Sequence, residues 1–206
     1  MTRSLPTKDS VYYHPIYPKK MRKLIASINM TLDGFCDHTA MIADDEIHRH
    51  FTGLLQSADT ILYGRTTYQL MESYWPTVVA NPTGNPAADE FAVTIDDVPK
   101  IVYSRTLNEV HWKKVTLKKT IVKEEIEELK QQSGKNILAG SPSLIVALTN
   151  LNLVDEYQLV IHPVIAGTGL PLFKNITERI KLKLLKTKIF GAGQIALYYE
   201  PSTHRD

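Results

Sequence analysis

From Lys23 onward the chain alternates between short apolar runs and stretches whose apolar residues recur at helical spacing. "KLIASINM" (23–30) is rich in apolar and β-branched residues and predicts a central strand, broken by the turn signal "LDG" (32–34). Over 44–57 the residues Ile47, Phe51, Leu54 and Leu55 share one face, and Asp44, Asp45 and Glu46 suit the N-terminal end of a helix. "TILY" (60–63) predicts a second strand, 66–73 a second helix, "NPTGNP" (81–86) a loop and 87–95 a short helix. "PKIVYS" (99–104) reads as a third strand and "VTLKK" (115–119) as an edge strand. Thr120 is the expected cap of a helix over 121–132, with Val122, Ile126 and Leu129 on one face.

"NILA" (136–139) predicts another strand. Gly140-Ser141-Pro142 then opens a helix with Ser141 at the N-cap, Pro142 at the first helical position, and an apolar face of Leu144, Ile145, Leu148 and Leu151. "EYQLVIHPVI" (156–165) is a strong strand, and "AGTGLP" (166–171) is a glycine loop. "KLKLLKTKIF" (181–190) and "QIALYYE" (194–200) form a hairpin about Gly191 and Gly193. Strands alternating with helices and ending in a hairpin predict an α/β fold. Its central sheet is mostly parallel, with helices on both faces and an antiparallel C-terminal hairpin.

Residues 1–20 depart from this pattern. They hold three prolines and no apolar periodicity, and lack the apolar core of a signal peptide. They read as an extended arm, with one domain over 21–206. The 206 residues are 43% apolar and 22% charged, ordinary for a globular domain, and the net charge of +2 is too balanced for a general nucleic-acid binder. No apolar stretch is long enough to cross a bilayer. The one cysteine, Cys36, allows no intrachain disulfide, which favours a reducing, cytoplasmic setting, and it reads as a small buried hydrophobe.

Two strand-to-helix junctions look alike: Gly64-Arg65-Thr66-Thr67 and Gly140-Ser141-Pro142-Ser143. Ligands of open α/β sheets bind at the carboxyl ends of the strands, and a helix N-terminus with free N–H groups suits phosphate. Each junction alone also reads as an ordinary turn with a glycine and a hydroxyl cap. The pair together, with a cation in a helix's first turn where the macrodipole disfavours it, points to a bound anion. Ser104-Arg105 adds a third cluster at the same edge. For proton handling the candidates are Asp33, Asp45 and His162, each with a structural alternative: the Leu-Asp-Gly turn, a dipole partner at a helix start, and a satisfied core histidine. No set of residues has metal-site spacing.

Six segments carry a resemblance: "IASINMTLDGF" (25–35), "DTILYGRTTYQLM" (59–71), "YWP" (74–76), "PKIVYSRTL" (99–107), "NILAGSPSLIVAL" (136–148) and "LVDEYQLVIHPVIAGTGLPLF" (153–173). The chain resembles the dihydrofolate-reductase-like family, and within it the C-terminal reductase domain of bacterial riboflavin-biosynthesis deaminase/reductase proteins, as a stand-alone member. The resemblance implies a dihydrofolate-reductase-like fold, a homodimer, a small-molecule substrate and NADPH as hydride donor. The cofactor would be held by Gly64, Arg65, Thr66, Thr67, Ser104, Arg105, Gly140, Ser141 and Ser143. It implies reduction of a heterocyclic or ribosyl-amine substrate, as in 5-amino-6-(5-phosphoribosylamino)uracil reduction. Dihydrofolate reduction and nucleotide binding without turnover are the alternatives. The family's riboflavin-pathway enzymes carry Asp-x-Pro-x-Leu-x-x-Arg after the second strand, whereas this chain reads "YQLMESYWP" there.

Overall fold

The computed structural model describes residues 21–202; the proposed arm, residues 1–20, lies outside the described residues. Eight strands form one sheet in the order β4-β3-β2-β5-β1-β6-β8-β7. They are β1 (Leu24–Thr31), β2 (Ala58–Gly64), β3 (Lys100–Tyr103), β4 (Val115–Lys118), β5 (Asn136–Ala139), β6 (Glu156–His162), β7 (Leu182–Ile189) and β8 (Ile195–Pro201). β4, β3, β2, β5, β1 and β6 run parallel, while β8 pairs antiparallel with β6 and with β7. The helices are α1 (Asp45–Gln56), α2 (Arg65–Ala80), α3 (Pro86–Asp97), α4 (Lys123–Gln131) and α5 (Pro142–Asn150).

β1 reads as a continuous apolar run because both of its faces are covered. Leu24, Ala26, Ile28 and Met30 pack in one core with Ile126 of α4 and Leu144, Ile145 and Leu148 of α5. Ile25 points the other way, into a second core with Leu54 and Leu55 of α1, Tyr68 of α2, and Phe91 and Ile95 of α3. The expected α/β sheet with helices on both faces and a terminal hairpin is the architecture observed.

Four local expectations are corrected. The helix expected over 66–73 runs from Arg65 to Ala80 through Pro76. Buried Val78, and Trp75 with its ring centroid 4.5 Å from that of Phe91, anchor the second half, and this packing outweighs the hydrogen bond that Pro76 cannot donate. The helix expected over 87–95 starts at Pro86 and ends at Asp97, because the Asn85 side chain accepts from the amides of Ala87 and Ala88. α4 begins at Lys123, and Thr120 is not its cap: the N-cap position is Val122, with no side-chain cap. β6 stops at His162 because Pro163 has no N–H for the ladder. The chain turns there, Val164 N donating to His162 O at 2.8 Å and Val164 O accepting from Leu32 N at 2.8 Å.

β1 and β5 separate at the carboxyl edge. Ala26 and Ala139 are their last paired residues, and beyond them β1 pairs only with β6, as far as Thr31 opposite His162. The carboxyl ends of β5, β2 and β3, where three of the sequence's candidate clusters fall, lie side by side along this edge of the sheet.

Candidate functional site

The phosphate-binding candidates converge. Gly64, the last residue of β2, lies opposite Tyr103, the last residue of β3, so Arg65 and Ser104 leave adjacent strands side by side. On the other flank Gly140 N donates to Leu62 O at 3.4 Å, and the Gly64 amide donates to Ser141 Oγ at 2.9 Å. The two look-alike junctions are therefore joined directly. Ser141 occupies the N-cap of α5 and Pro142 its first position, as the sequence predicts, but its hydroxyl makes no bond within its own helix. The bond from Gly64 uses the oxygen and leaves the Ser141 O–H free to donate.

Glycine is needed here for closeness rather than for an unusual backbone. A Cβ on Gly64 would lie 3.6 Å from Ser141 Cβ and from Ser143 Oγ, and one on Gly140 would lie 3.5 Å from the Tyr63 ring and 3.7 Å from Ser27 O. Each Cβ would be tolerated and would occupy the floor between the junctions. α2 starts with no side-chain cap, so its first-turn amides are open to an anion. Arg65 and Thr66 are exposed and Thr67 is half-buried. Among the described residues neither Arg65 nor Arg105 has a carboxylate partner.

Ser104 is buried, and its Oγ accepts from the amides of Thr106 and Leu107 at 3.2 and 2.9 Å, which folds the turn that carries Arg105. Further along the same loop, the amides of His111 and Trp112 donate to Glu72 Oε1 at 2.9 and 3.0 Å, and to Tyr68 Oη. Tyr68 is one turn beyond Arg65, so this tie seats the loop against the first turns of α2.

The proton-handling candidates are not brought together: no hydrogen bond or ion pair joins any two of Asp33, Asp45 and His162. Asp33 accepts from Thr31 Oγ1 at 2.6 Å and from the amides of Ala166 and Gly167 at 3.1 and 2.7 Å. The Thr31 hydroxyl first, and then these amides, push its pKa down to about 2. At neutral pH it has no proton to give, and it pins the glycine loop to the turn after β1. His162 is fully buried; Nδ1 accepts from Ile42 N at 3.1 Å and Nε2 lies 3.0 Å from Asn29 Oδ1. The Ile42 bond fixes the tautomer with the proton on Nε2, and burial lowers the ring's pKa. Both nitrogens are occupied within the fold, so His162 ties the loop before α1 to the sheet. Asp45 sits in the first turn of α1, accepts from Asn85 Nδ2 at 2.7 Å and lies 3.6 Å from Arg49. It joins the starts of α1 and α3. Cys36 is half-buried, and burial raises its thiol pKa to about 11.

The sequence offers two basic residues on the first helix, Arg49 and His48, without a clear match to the basic residue that riboflavin-pathway reductases carry there. His48 of α1 lies edge-on to Trp75 at 6.0 Å and tilted against Phe91 at 5.9 Å, and its ring makes no hydrogen bond among the described residues. His48 is half-buried beside the apolar stripe of this amphipathic helix, at i,i+4 from the buried Thr52.

Comparisons with known proteins bear on the fold and the family. The chain is 37% identical over 186 residues to the uncharacterized protein YyaP of Bacillus subtilis (strain 168), covering 87% of this chain and 95% of that one. A pyrimidine reductase-like protein from Corynebacterium diphtheriae NCTC superposes with a TM-score of 0.60 at 17% identity, over 90% of this chain and 93% of that one. Dihydrofolate reductase from Enterococcus faecalis, complexed with NADP(H), superposes with a TM-score of 0.57 at 13% identity, over 87% and 96%. These superpositions establish the fold. Residues 22–196 match the RibD C-terminal domain throughout, and with nearly the whole described chain inside that match, the protein belongs to the RibD C-terminal domain family.

Proposed function

We propose that the protein is an NADPH-dependent reductase of a small heterocyclic or ribosyl-amine substrate, of the kind represented by 5-amino-6-(5-phosphoribosylamino)uracil reduction. The observation that carries this reading is the joining of the two glycine junctions by the Gly64–Ser141 hydrogen bond beside an arginine without an ion-pair partner among the described residues. Family membership and the NADP(H) carried by the dihydrofolate reductase of like fold support it.

The residues fit the cofactor. Arg65 and Arg105 offer guanidinium groups for a 2′-phosphate, which they bind with paired hydrogen bonds. The free amides of α2 and α5, with the hydroxyls of Thr66, Thr67, Ser141 and Ser143, suit a pyrophosphate, and Gly64 and Gly140 let it approach the backbone. NADPH supplies the hydride when bound; the protein orients, excludes water and holds the acceptor. We further assign residues 21–206 as the reductase domain, 1–20 as an arm beside it, a homodimer as the assembly and the cytoplasm as its location. No helix among the described residues is long and apolar enough to cross a membrane.

The test is a titration with NADPH, followed by loss of its nicotinamide absorbance with pyrimidine and pterin acceptors. Tight binding with turnover of a ribosylaminopyrimidine is expected. Turnover of dihydrofolate alone would move the activity within the enzyme class, and binding without any turnover would make this a nucleotide-binding protein instead.

A further inference from the structure

The loop between β3 and β4 is fastened at more points than its burial requires. At one end the Ser104 amide donates to Lys118 O at 2.9 Å, and Lys119 Nζ donates to Leu107 O at 2.6 Å. At the other end Trp112 is buried, its Nε1 donates to Asp96 Oδ1 at 2.6 Å, and Lys100 Nζ lies 4.1 Å from its ring centroid. Leu107 and Val110 pack at the margin of the same core. These apolar contacts hold the loop down, but hydrophobic burial has no direction of its own. The direction comes from α2. The amides of His111 and Trp112 are each shared between Glu72 Oε1, at 2.9 and 3.0 Å, and Tyr68 Oη, at 3.2 and 3.3 Å. The Tyr68 hydroxyl in turn donates to Glu72 Oε1. Burial first, and then this bond, raises the Tyr68 pKa to about 12, so the phenol keeps the proton it donates.

This clamp bears on two cations. Arg65, Tyr68 and Glu72 stand at i, i+3 and i+7 on α2 and share one face of the helix. The bonds to His111 and Trp112 identify that face as the one turned toward the β3–β4 loop. Arg105 lies at the start of the same loop, and the strands that deliver the two arginines end in register, Gly64 opposite Tyr103. Both guanidinium groups are exposed, and among the described residues neither has an ion-pair partner. Glu72 is the acid on this face of α2, and its Oε1 is taken by backbone amides. Two cations on facing elements repel, and an anion between them offsets the repulsion. How far apart they stand is set by how the loop is seated on α2, which is what Glu72 fixes.

We propose that Glu72 is a positioning residue for cofactor selection: by clamping the β3–β4 loop to α2 it holds Arg105 across from Arg65, so that one 2′-phosphate meets both. This rests on the NADPH reading, and it adds a residue that governs the choice between NADPH and NADH without touching either. Glu72 lies two turns from Arg65, about 10 Å along the helix axis, and acts through the loop. A loop without the clamp would have to be ordered by the phosphate at each binding event, which weakens NADPH and leaves NADH as it was.

The test measures dissociation constants for NADPH and NADH in the full chain and in Glu72→Ala, Glu72→Gln, Arg105→Ala and the Glu72→Ala/Arg105→Ala double variant. Glu72→Ala is expected to weaken NADPH by about three- to tenfold and NADH by less than about twofold. Glu72→Gln, which keeps an oxygen for the two amides, should recover part of the loss. Once Arg105 is gone the clamp has nothing to position, so Glu72→Ala should add no further loss in the double variant. Equal weakening of both cofactors, an unchanged ratio, or additive losses in the double variant would each overturn the proposal, since a merely structural tie would not act through Arg105. The wild type supplies a second measurement, which decides alone if Glu72→Ala does not fold. Coupling is reciprocal, so NADPH should slow amide exchange at His111 and Trp112 more than NADH does, and equal slowing would overturn the proposal. A wild type that binds neither cofactor, or both alike, would instead strike the NADPH reading, so the two failures are distinct.

Discussion

The amide of Gly64 donates to the hydroxyl of Ser141 at 2.9 Å, across 77 residues of sequence, and so fastens the start of α2 to the start of α5. Ser141→Ala would leave the Gly64 amide without its acceptor in a site where residue 141 is 2% exposed. A loss of about 1–3 kcal/mol in unfolding free energy is expected, read by chemical denaturation, together with weaker NADPH binding. Gly64→Ala should separate the two effects. Its backbone (φ −84°, ψ 162°) accepts alanine and the new Cβ meets only ordinary contacts, so stability should hold while NADPH affinity falls. Unchanged affinity in Gly64→Ala would mean that nothing approaches the backbone there.

Arg65 is the proposed reader of the 2′-phosphate, the one group that separates NADPH from NADH. Losing a charge-assisted contact of this kind costs roughly 1.5–3 kcal/mol, or about 10- to 150-fold in affinity. Arg65→Ala is therefore expected to weaken NADPH strongly and NADH little, as measured by a dissociation constant for each cofactor in each protein. Equal weakening of both would place the arginine on the shared pyrophosphate. No weakening of either would remove "YGRTTY" from the cofactor site.

Asp33 makes the tie between the β1 turn and the glycine loop sensitive to acid. Its folded pKa is lowered to about 2 from an ordinary 3.8, so its contribution is complete above about pH 4 and is lost as the pH falls toward 2. Amide exchange at Ala166 and Gly167 should quicken across that window, after allowance for intrinsic rates. Asp33→Asn should show fast exchange at neutral pH already, and protection there equal to wild type would contradict the tie.

The C-terminal hairpin gives the proposed homodimer a physical motive. β7 is the edge of the sheet, and Leu184, Ile189 and Ile195 are 50%, 75% and 38% exposed on the hairpin. A free edge with apolar side chains tends to be covered, although the lysines along β7 also act as guards against pairing. Light scattering at micromolar concentration should return twice the chain mass of 23.3 kDa, and Ile189→Lys should lower it. A monomeric wild type would refute the assembly.

The proposed domain boundary is tested by starting the chain at Met21. None of the proposed cofactor residues precedes it, so NADPH affinity and melting temperature should match those of the full chain. A drop in either would assign residues 1–20 to the domain or its interface.

The sequence by itself determined the order and kind of the elements, because alternation and helical spacing report which positions must leave water, and the apolar faces of β1, α1 and α5 each found a neighbour in the cores on the two sides of the sheet. It also marked the junctions at Gly64 and Gly140, which point to an anion only as a pair with Arg65 at a helix start, since each alone reads equally as an ordinary capped turn. Tertiary structure alone decided what each polar group does. Whether Ser141 caps its own helix or receives Gly64, whether Asp33 and His162 meet a substrate or are absorbed by Gly167, Ile42 and Asn29, and whether α2 stops before Pro76 all depend on partners far away in the chain. His48 shows the same limit: a histidine on an amphipathic helix is one residue among many until Trp75 and Phe91, from two other helices, close around its ring. Hydrophobic burial is written locally in a periodic pattern, whereas hydrogen-bond partners are chosen by geometry that exists only once the strands are side by side.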